Sequence, residues 1–478
     1  MKQPNPNLIN LSRRDLFKTT GALAGALVGG LAITSLVPSP LHTIAYAAGR
    51  EGLEKTDLNL GFIPLTDCAV LVMALEKGYF QKHGLKVTLS KEASWANIRD
   101  KVGMGMLDGA HMLAPMTLAS SLGIGALKVP TITAFSMGLG GNAITVSDAL
   151  YQRMLAADPH AMKQKPLTAQ ALKKVIAADQ AKGKPALTFA MVFPTSTHNY
   201  QLRYWLASAG IDPDKDIRLI VVPPPQMVAN MQAGAVDGYC VGEPWNERAV
   251  NMGLGHTLIT SQELWNNNPE KVLGVTLEWA EKHPNTHQAL LRALLETAQW
   301  MDQPGNREEV ARVISAATYV NAPVEVVRQS ITGHYVRHPG GQAEAMPDFN
   351  VFHRHQANFP WRSHAVWFLT QMYRWGQIEA PMDMGLVARQ VYRPELYRQA
   401  AKSLGIVAPG IDDKPEGIHR GAWKLEGPGK PLSLGQDLFF DGKAFNAHDP
   451  VGYLTAQKSN HMTVNVEALR KLNPVKGA

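Results

Sequence analysis

The sequence predicts an α/β protein made of two similar units, because one order of elements occurs twice along the chain. Strand, helix, strand, helix and a final strand follow one another between residues 58 and 112, and again between 186 and 241. Such alternation indicates strands that run largely parallel, with right-handed crossovers. In sheets of this kind, ligands bind beyond the carboxyl ends of the strands.

In the first unit, strands are predicted over 58–63, 86–89 and 108–112, and helices over 68–77 and 95–105. Thr66 or Asp67 stands where an N-cap of the first helix is expected, since both side chains accept from backbone N–H groups. Gly78 is predicted to end that helix.

In the second unit, strands are predicted over 186–191, 217–222 and 238–241, with helices over 197–208 and 225–233. The helical segment 149–184, rich in Lys, Ala and Gln, is interpreted as a surface insertion. Further helices are predicted over 284–301 and 308–317. From Gly405 onward Pro, Gly and turn residues dominate, which indicates a wrapping tail without a core of its own.

The N-terminus predicts export. Arg13 and Arg14 precede a weakly apolar run over 21–37, a pattern typical of a twin-arginine signal, and Ala45-Tyr46-Ala47 offers a cleavage site. The run is rich in Gly and Ala, which disfavours the alternative of a retained membrane anchor. We expect a mature protein that starts near Ala48, folds before export by the twin-arginine translocase, and works in the periplasm.

Composition restricts the function classes. The chain of 478 residues carries a net charge of +7, of which the signal segment accounts for +3. The remaining charge suits a small anion and is too diffuse to indicate nucleic acid. Cys68 and Cys240 are far apart in sequence, so they form no Cys-x-x-Cys motif. Neither lies at the signal cleavage site, so no lipid anchor is expected, and two separate buried thiols are favoured over a disulfide.

Several short stretches are typical of one receptor family. They span residues 74–80, 94–101, 111–116, 141–146, 197–200, 223–231, 242–246, 268–271, 359–364 and 439–443. Together they resemble the substrate-binding receptors of nitrate/nitrite/bicarbonate ABC transporters, over roughly residues 58–445.

The resemblance implies a periplasmic-binding-protein fold of type II. In this α/β fold, two mixed-sheet lobes are joined by crossover segments and followed by a C-terminal wrapping extension. The expected limits are 1–47 for the signal, 48–144 and 265–400 for the first lobe, 145–264 for the second, and 401–478 for the tail. The implied function is non-enzymatic and needs no cofactor: the receptor captures nitrate or nitrite and delivers it to an ABC permease with its ATPase subunits.

The resemblance also implies four ligand-binding residues. Trp95 offers an indole N–H, His198 a ring donor at a helix start, Asn142 an amide, and Lys271 the positive charge. Without the resemblance, Lys271 in its loop would be interpreted as a solvated charge. Further possible contributors are Thr66, Asp67, His111, Gly140 and Glu243.

Two departures from the family bear on the ligand. Gly140 stands where cyanobacterial nitrate receptors carry a glutamine, which removes one amide donor and leaves more to Asn142. Lys271 stands where bicarbonate-binding relatives carry a carboxylate that would recruit a metal cation, so lysine favours a bare monovalent anion. Bicarbonate and sulfonates remain open as ligands.

Other function classes lack their motifs. No Walker loop and no Gly-x-Ser-x-Gly nucleophile elbow occurs in the sequence, and 353–355 (His-Arg-His) lacks the further ligands of a metal site. An exported redox enzyme remains an alternative because twin-arginine export is common among such enzymes, although cofactor motifs are missing. An anion sensor of the cytoplasm is disfavoured by the export signal.

Overall fold

The computed structural model describes residues 52–426 and 430–475. The predicted export signal, with Arg13 and Arg14, lies outside the described residues. Within them, no helix combines the length and the apolar character that crossing a membrane requires.

Helices and strands alternate through most of the chain. The strands are β1 (Asp57–Phe62), β2 (Lys86–Lys91), β3 (Gly109–Leu113), β4 (Thr131–Ser136), β5 (Leu139–Gly140), β6 (Asn142–Ser147), β7 (Thr188–Met191), β8 (Arg218–Val221), β9 (Gly238–Gly242), β10 (Gly255–Thr260), β11 (Lys271–Thr276), β12 (His334–Tyr335), β13 (Glu344–Ala345), β14 (Asn350–Val351), β15 (Trp423–Leu425) and β16 (Leu432–Leu434). The α-helices are α1 (Ala69–Glu76), α2 (Tyr79–Lys82), α3 (Trp95–Gly103), α4 (Ala114–Leu122), α5 (Asp148–Ala157), α6 (Gln170–Ala181), α7 (Thr197–Ser208), α8 (Met227–Gln232), α9 (Trp245–Asn251), α10 (Ser261–Leu264), α11 (Leu277–Lys282), α12 (Pro284–Met301), α13 (Arg307–Ile314), α14 (Val324–Thr332), α15 (Arg362–Arg374), α16 (Met384–Val391), α17 (Pro394–Ser403), α18 (Pro450–Thr455) and α19 (Val466–Leu472).

Two five-stranded mixed sheets form the framework. The first has the order β2-β1-β3-β11-β4, with β1 parallel to β2 and β3, and β11 antiparallel to both its neighbours. The second has the order β10-β6-β9-β7-β8, with β7 parallel to β8 and β9, and β6 antiparallel to β9 and β10. Each repeat therefore supplies three parallel strands, and an antiparallel strand from the crossover makes the sheet mixed.

The crossovers lie between β4 and β6 and between β10 and β11, where the chain changes sheet. The limit expected at 144 falls within β6, because the residues that follow Gly141 already pair with β9. The limit expected at 264 falls in the second crossover.

The segment 149–184 is helical as predicted, but its interpretation as a surface insertion is wrong for its inner face. Side chains of α5 and α6, including Met154 and Leu172, belong to the main hydrophobic core. The indole N–H of Trp205 also donates to the carbonyl of Leu167 at 2.9 Å. Apolar residues at helical spacing attach this segment to the second sheet, since both helices bury one side.

The C-terminal extension lies over the rest of the molecule and has no separate core. Its buried residues Phe439, Phe445, Val451 and Leu454 pack within the main hydrophobic cluster. Phe439 stacks on Trp265, with ring centroids 4.6 Å apart. The prediction of a wrapping tail is therefore confirmed. The two cysteines are both buried and free, which confirms the prediction of separate thiols.

Candidate functional site

Seven side chains from both sheets form a buried polar group near the carboxyl ends of the parallel strands, which we call the cleft cluster. Its members are Asp67, Trp95, His111, Asn142, His198, Glu270 and Lys271. Asp67 is 8% exposed and the other six at most 1%. Burial of so many polar groups is costly unless they bind one another or a ligand.

Lys271 lies at the centre of the cleft cluster. It begins β11, and its Nζ donates to Asp67 Oδ2 at 2.7 Å and to Glu270 Oε1. Burial alone would lower the pKa of Lys271, but the two carboxylates outweigh burial and raise it, so the side chain stays a cation. The solvated position that the loop sequence suggests is wrong, because Lys271 begins a strand of the first sheet and is buried there.

Asp67 binds two neighbours in the cluster, Lys271 and His111. It lies in a single 3-10 turn, Thr66–Cys68, and α1 starts only at Ala69, so neither Thr66 nor Asp67 caps a helix as predicted. Its Oδ1 accepts from His111 Nε2 at 2.8 Å. Burial opposes ionisation of Asp67, but the charge of Lys271 and the contact with His111 lower its pKa well below the usual value.

Asn142 is placed by the two glycines before it. Gly140 and Gly141 have φ of 75° and 91°, which side chains other than glycine rarely adopt. The Asn142 Nδ2 donates to Glu270 Oε2 at 2.6 Å and to Gln201 Oε1 at 3.1 Å. The amide is thus held against the carboxylate that also binds Lys271.

Gly140 contributes no ligand donor, which corrects its place among the possible site residues. A Cβ at this position would lie 2.3 Å from the carbonyl oxygen of Phe349, so a side chain would clash with backbone. Its N–H donates to the carbonyl of Asn268 at 3.0 Å. A glutamine here would require the paired strands β5 and β14 to move apart.

Trp95 and His198 stand at helix N-termini, one in each lobe. Trp95 is the first residue of α3 behind the cap Ser94, and His198 is the second residue of α7 behind the cap Ser196. Trp95 Nε1 and both ring nitrogens of His198 are buried without a hydrogen-bond partner among the described residues. Burial, and then the charge of Lys271, hold the pKa of His198 well below its ordinary value. The neutral ring offers one donor and one acceptor.

Thr66 and Glu243 join the two lobes beside the cleft cluster. The Thr66 N–H donates to the carbonyl of Glu243 at 2.8 Å. The Glu243 carboxylate, however, accepts from the Tyr335 hydroxyl at 2.6 Å and from the Glu247 N–H at 3.1 Å. We therefore correct the expectation that the Glu243 side chain adds to the ligand set, because its two oxygens bind outside the cluster.

Glu270 has no role predicted from sequence, although it lies in 268–271, one of the stretches on which the resemblance rests. Its carboxylate contacts Lys271 and Asn142, and its Oε1 lies 3.5 Å from His198 Nε2. Gly242 was likewise missed: a Cβ there would lie 3.3 Å from Asn142 Oδ1 and 3.7 Å from His198 Nε2. Their sequence signals are weak, namely an acidic residue beside a lysine at a strand start and a glycine at a strand end.

The chemistry of the cleft cluster is that of an anion site with an unusual charge balance. Trp95, His198 and Asn142 supply N–H groups, and Lys271 supplies an ammonium group, and all four side chains are buried. Two ionised carboxylates and one lysine leave a formal charge of −1 when both histidines are neutral. An anion that enters the cluster therefore contacts N–H donors and also lies beside the carboxylates of Asp67 and Glu270.

Elsewhere, ligand atoms of Asp212, Asp214 and His461 lie within 4.8 Å of one another near the surface. Arg203 already binds both oxygens of Asp214, at 2.8 and 2.6 Å. At the 353–355 stretch, His353 Nδ1 pairs with Asn358 Oδ1 at 3.0 Å. Asp214 and His353 thus have hydrogen-bond partners within the protein.

Comparisons with known proteins agree with this description. The model of the NMT1-like family matches residues 51–315. The nitrate import ATP-binding protein NrtC of Synechocystis is 43% identical over 413 residues, 86% of this chain, and the chain spans only 56% of that relative. The nitrate/nitrite binding protein NrtA of Nostoc is 34% identical over 467 residues, 94% of this chain and 99% of the relative.

Among solved structures, the crystal structure of the periplasmic nitrate-binding protein NrtA from Synechocystis superposes with a TM-score of 0.75. It is 33% identical and covers 85% of this chain and 100% of its own. The chain therefore belongs to the NMT1-like family and, within it, to the receptors with the two-lobed periplasmic-binding-protein fold.

Proposed function

We propose that this protein is an extracytoplasmic receptor that captures nitrate or nitrite between its two lobes and delivers the anion to an ABC permease. The observation that carries the proposal is a buried lysine beside N–H donors that have no hydrogen-bond partner in the part of the chain that the structure describes. Lys271 supplies the charge, and Trp95 Nε1 and His198 supply those donors.

The donor set suits a small planar anion. Nitrate and nitrite are weak bases with one negative charge spread over a plane of oxygens, so they favour N–H donors and one cation over proton acceptors. The helix starts that carry Trp95 and His198 add partial positive charge on opposite sides. Lysine in place of a carboxylate at 271 supports a bare anion over a metal-bound one.

The two lobes contribute different parts of the cluster. Asp67, Trp95 and Lys271 come from the first sheet or its connections, and Asn142 and His198 from the second. Closure of the lobes on the anion would remove its water and present a changed surface to the permease. This division explains why the ligand residues are spread so widely along the chain.

The same proposal includes the cellular route. The protein is exported by the twin-arginine translocase, loses residues 1–47 and acts in the periplasm without a lipid anchor. Its partners are the permease and the ATPase subunits, and it performs no catalysis. Residues up to the first crossover and from 265 to 400 form one lobe, and the residues between the crossovers form the other.

The test is isothermal titration of the mature protein with nitrate, nitrite, bicarbonate with and without calcium, and taurine, followed by thermal unfolding. Ligand at 100 times its dissociation constant adds about 2.7 kcal/mol to the stability. We expect nitrate or nitrite to bind and Lys271→Met to lose more than 100-fold in affinity. Lys86→Met, which removes a surface lysine of the same sheet, is the matched control and leaves affinity unchanged.

Other outcomes identify the alternatives. Bicarbonate binding that depends on calcium would replace nitrate as the ligand, and taurine binding would indicate a sulfonate receptor. A visible absorption spectrum of protein purified from its native compartment would indicate the exported redox enzyme instead.

A further inference from the structure

The Glu270 carboxylate occupies the position in the cleft cluster where an external anion would be bound. It is 1% exposed, and its oxygens face three of the four groups proposed to bind the ligand. Oε1 accepts from Lys271 and lies 3.5 Å from His198 Nε2, and Oε2 accepts from Asn142 Nδ2 at 2.6 Å.

A carboxylate resembles nitrite and nitrate in the properties that such a site detects. Each is planar, each carries one negative charge, and each presents oxygens in one plane to N–H donors. We propose that the Glu270 carboxylate is an internal anion that competes with the transported one, and that nitrate or nitrite binds together with one proton taken up by Glu270. This inference rests on the proposed function.

The charges around Glu270 require the proton. Among the described residues, Lys271 is the only lysine or arginine within ion-pair distance of Glu270, and Asp67 shares it. A third anion beside both carboxylates would leave two uncompensated negative charges in a buried site, at high cost. Neutralising one carboxyl group restores the balance that the cluster has without ligand.

Glu270 is the carboxyl group best placed to take the proton. The titratable groups near it are Lys271 and Asp67, His198 on α7 and the Cys240 thiol on β9, and His111 on β3 binds Asp67. Burial raises the pKa of Glu270 in spite of Lys271, whereas the pKa of Asp67 is lowered. Burial lowers the pKa of both histidines and raises that of the thiol, so these three groups remain neutral.

The consequence is a binding constant that depends on pH. When Glu270 is ionised in the free receptor, each bound anion requires uptake of one proton, so affinity falls about tenfold for each pH unit. When Glu270 is already protonated, at lower pH, the affinity becomes constant. Nitrate itself does not titrate in this range, so a proton taken up on nitrate binding is taken up by the protein.

The experiment is calorimetric titration with nitrate between pH 6 and 9, in pairs of buffers that differ in ionisation enthalpy, which counts protons directly. We expect the wild-type protein to take up about one proton per nitrate in the alkaline part of the range. Glu270→Gln is expected to take up none, to show a flat pH profile, and to bind nitrate at least tenfold more tightly than wild type at pH 9.

The matched control is Glu247→Gln, which also replaces a buried carboxyl group, one whose oxygens have no hydrogen-bond partner among the described residues and so no contact with Lys271. It should keep the wild-type proton uptake. The inference is overturned if wild type binds nitrate with no proton uptake, a result that needs no variant to fold. It is also overturned if Glu270→Gln binds more weakly than wild type at every pH, since Glu270 would then position Lys271. Absence of nitrate and nitrite binding in both proteins would instead overturn the proposed function.

Discussion

Among the described residues, two lysines are buried beside pairs of carboxylates, Lys271 in the cleft cluster and Lys414 within the C-terminal extension. Lys414 is 9% exposed; it donates to Glu416 Oε2 and lies 3.5 Å from Asp437 Oδ2. We call His364, Lys414, Glu416 and Asp437 the tail cluster. By charge and residue type the two clusters are nearly the same.

They differ in what the neighbouring donors do. In the tail cluster, the indole N–H of Trp265 donates to Asp437 Oδ1 at 3.3 Å, and the Ser363 hydroxyl donates to Glu416 Oε1 at 2.7 Å. In the cleft cluster, the indole N–H of Trp95 has no such partner. In the tail cluster, the neighbouring donors bind the carboxylates, and the ionic motif helps to hold the C-terminal extension in place. In the cleft cluster, the indole N–H stays without a partner among the described residues, so a similar motif forms a candidate ligand site.

The largest expected effect is on the free energy of unfolding, and it distinguishes Lys414 from Lys271. Lys414→Met leaves Glu416 and Asp437 buried without their cation, so it should reduce the free energy of unfolding by about 3–5 kcal/mol. Nitrate affinity at a temperature where the variant is folded should stay within twofold of wild type. Urea unfolding and calorimetric titration measure the two quantities. A loss of affinity with little loss of stability would contradict the assignment of the tail cluster to structure.

A second comparison uses one histidine from each cluster. His198→Phe removes a donor to a charged ligand, a bond worth about 1.5–3 kcal/mol, so nitrate affinity should fall roughly 10- to 100-fold. The stability of the ligand-free protein should stay the same or increase, because the lost ring nitrogens have no partner there. His364→Phe is the control, because it removes a ring that also lies beside a buried glutamate, 3.4 Å from Glu416 Oε1, but outside the cleft cluster, and it should leave nitrate affinity unchanged. Equal effects of both variants on affinity would refute the contrast.

The elements that carry these residues were largely predictable from sequence. The helix predicted over 197–208 is α7, and the one over 284–301 is α12, with the same limits. Their starts have local signals, a serine cap at Ser196 and a proline at Pro284 in the first turn. Periodicity also gave the parallel strands, whereas the antiparallel β6 and β11 depend on how the crossovers return to each sheet.

The proximity of four candidate site residues was predictable, and their contacts were not. Trp95, Asn142, His198 and Lys271 do come together, as the resemblance implies. The burial of Lys271 depends on Asp67, which is 204 residues away in sequence, and no local pattern reports that distance. The competing carboxylate of Glu270 was missed for the same reason, since its partners lie on three other elements.

A smaller effect is expected at the indole. Trp95→Phe keeps the aromatic wall beside Lys271 and removes one N–H donor, whose net contribution is about 1 kcal/mol. Nitrate affinity should therefore fall about fivefold, as measured by titration. Trp265→Phe, which removes the corresponding indole of the tail cluster, should leave affinity unchanged. An unchanged affinity in Trp95→Phe would remove the unpartnered indole as the feature that distinguishes the clusters.

The last expected effect concerns Glu243 and Glu247, two buried acids that contact no lysine among the described residues. Burial raises the pKa of Glu243 from 4.5 to about 7, so the folded protein holds this proton to a higher pH than the unfolded chain does. The stability that Glu243 contributes is thus complete below about pH 4.5 and is lost as pH rises through about 7. Glu243→Gln should remove this loss. Its melting temperature relative to wild type should rise between pH 5 and 8, in thermal scans without ligand.

If the melting temperatures of the two proteins instead change in parallel over that range, Glu243 ionises in the folded protein as easily as in the unfolded chain. A buried carboxylate would then be stable without a neighbouring cation, and the stabilising role assigned to Lys271 and Lys414 would lose its support.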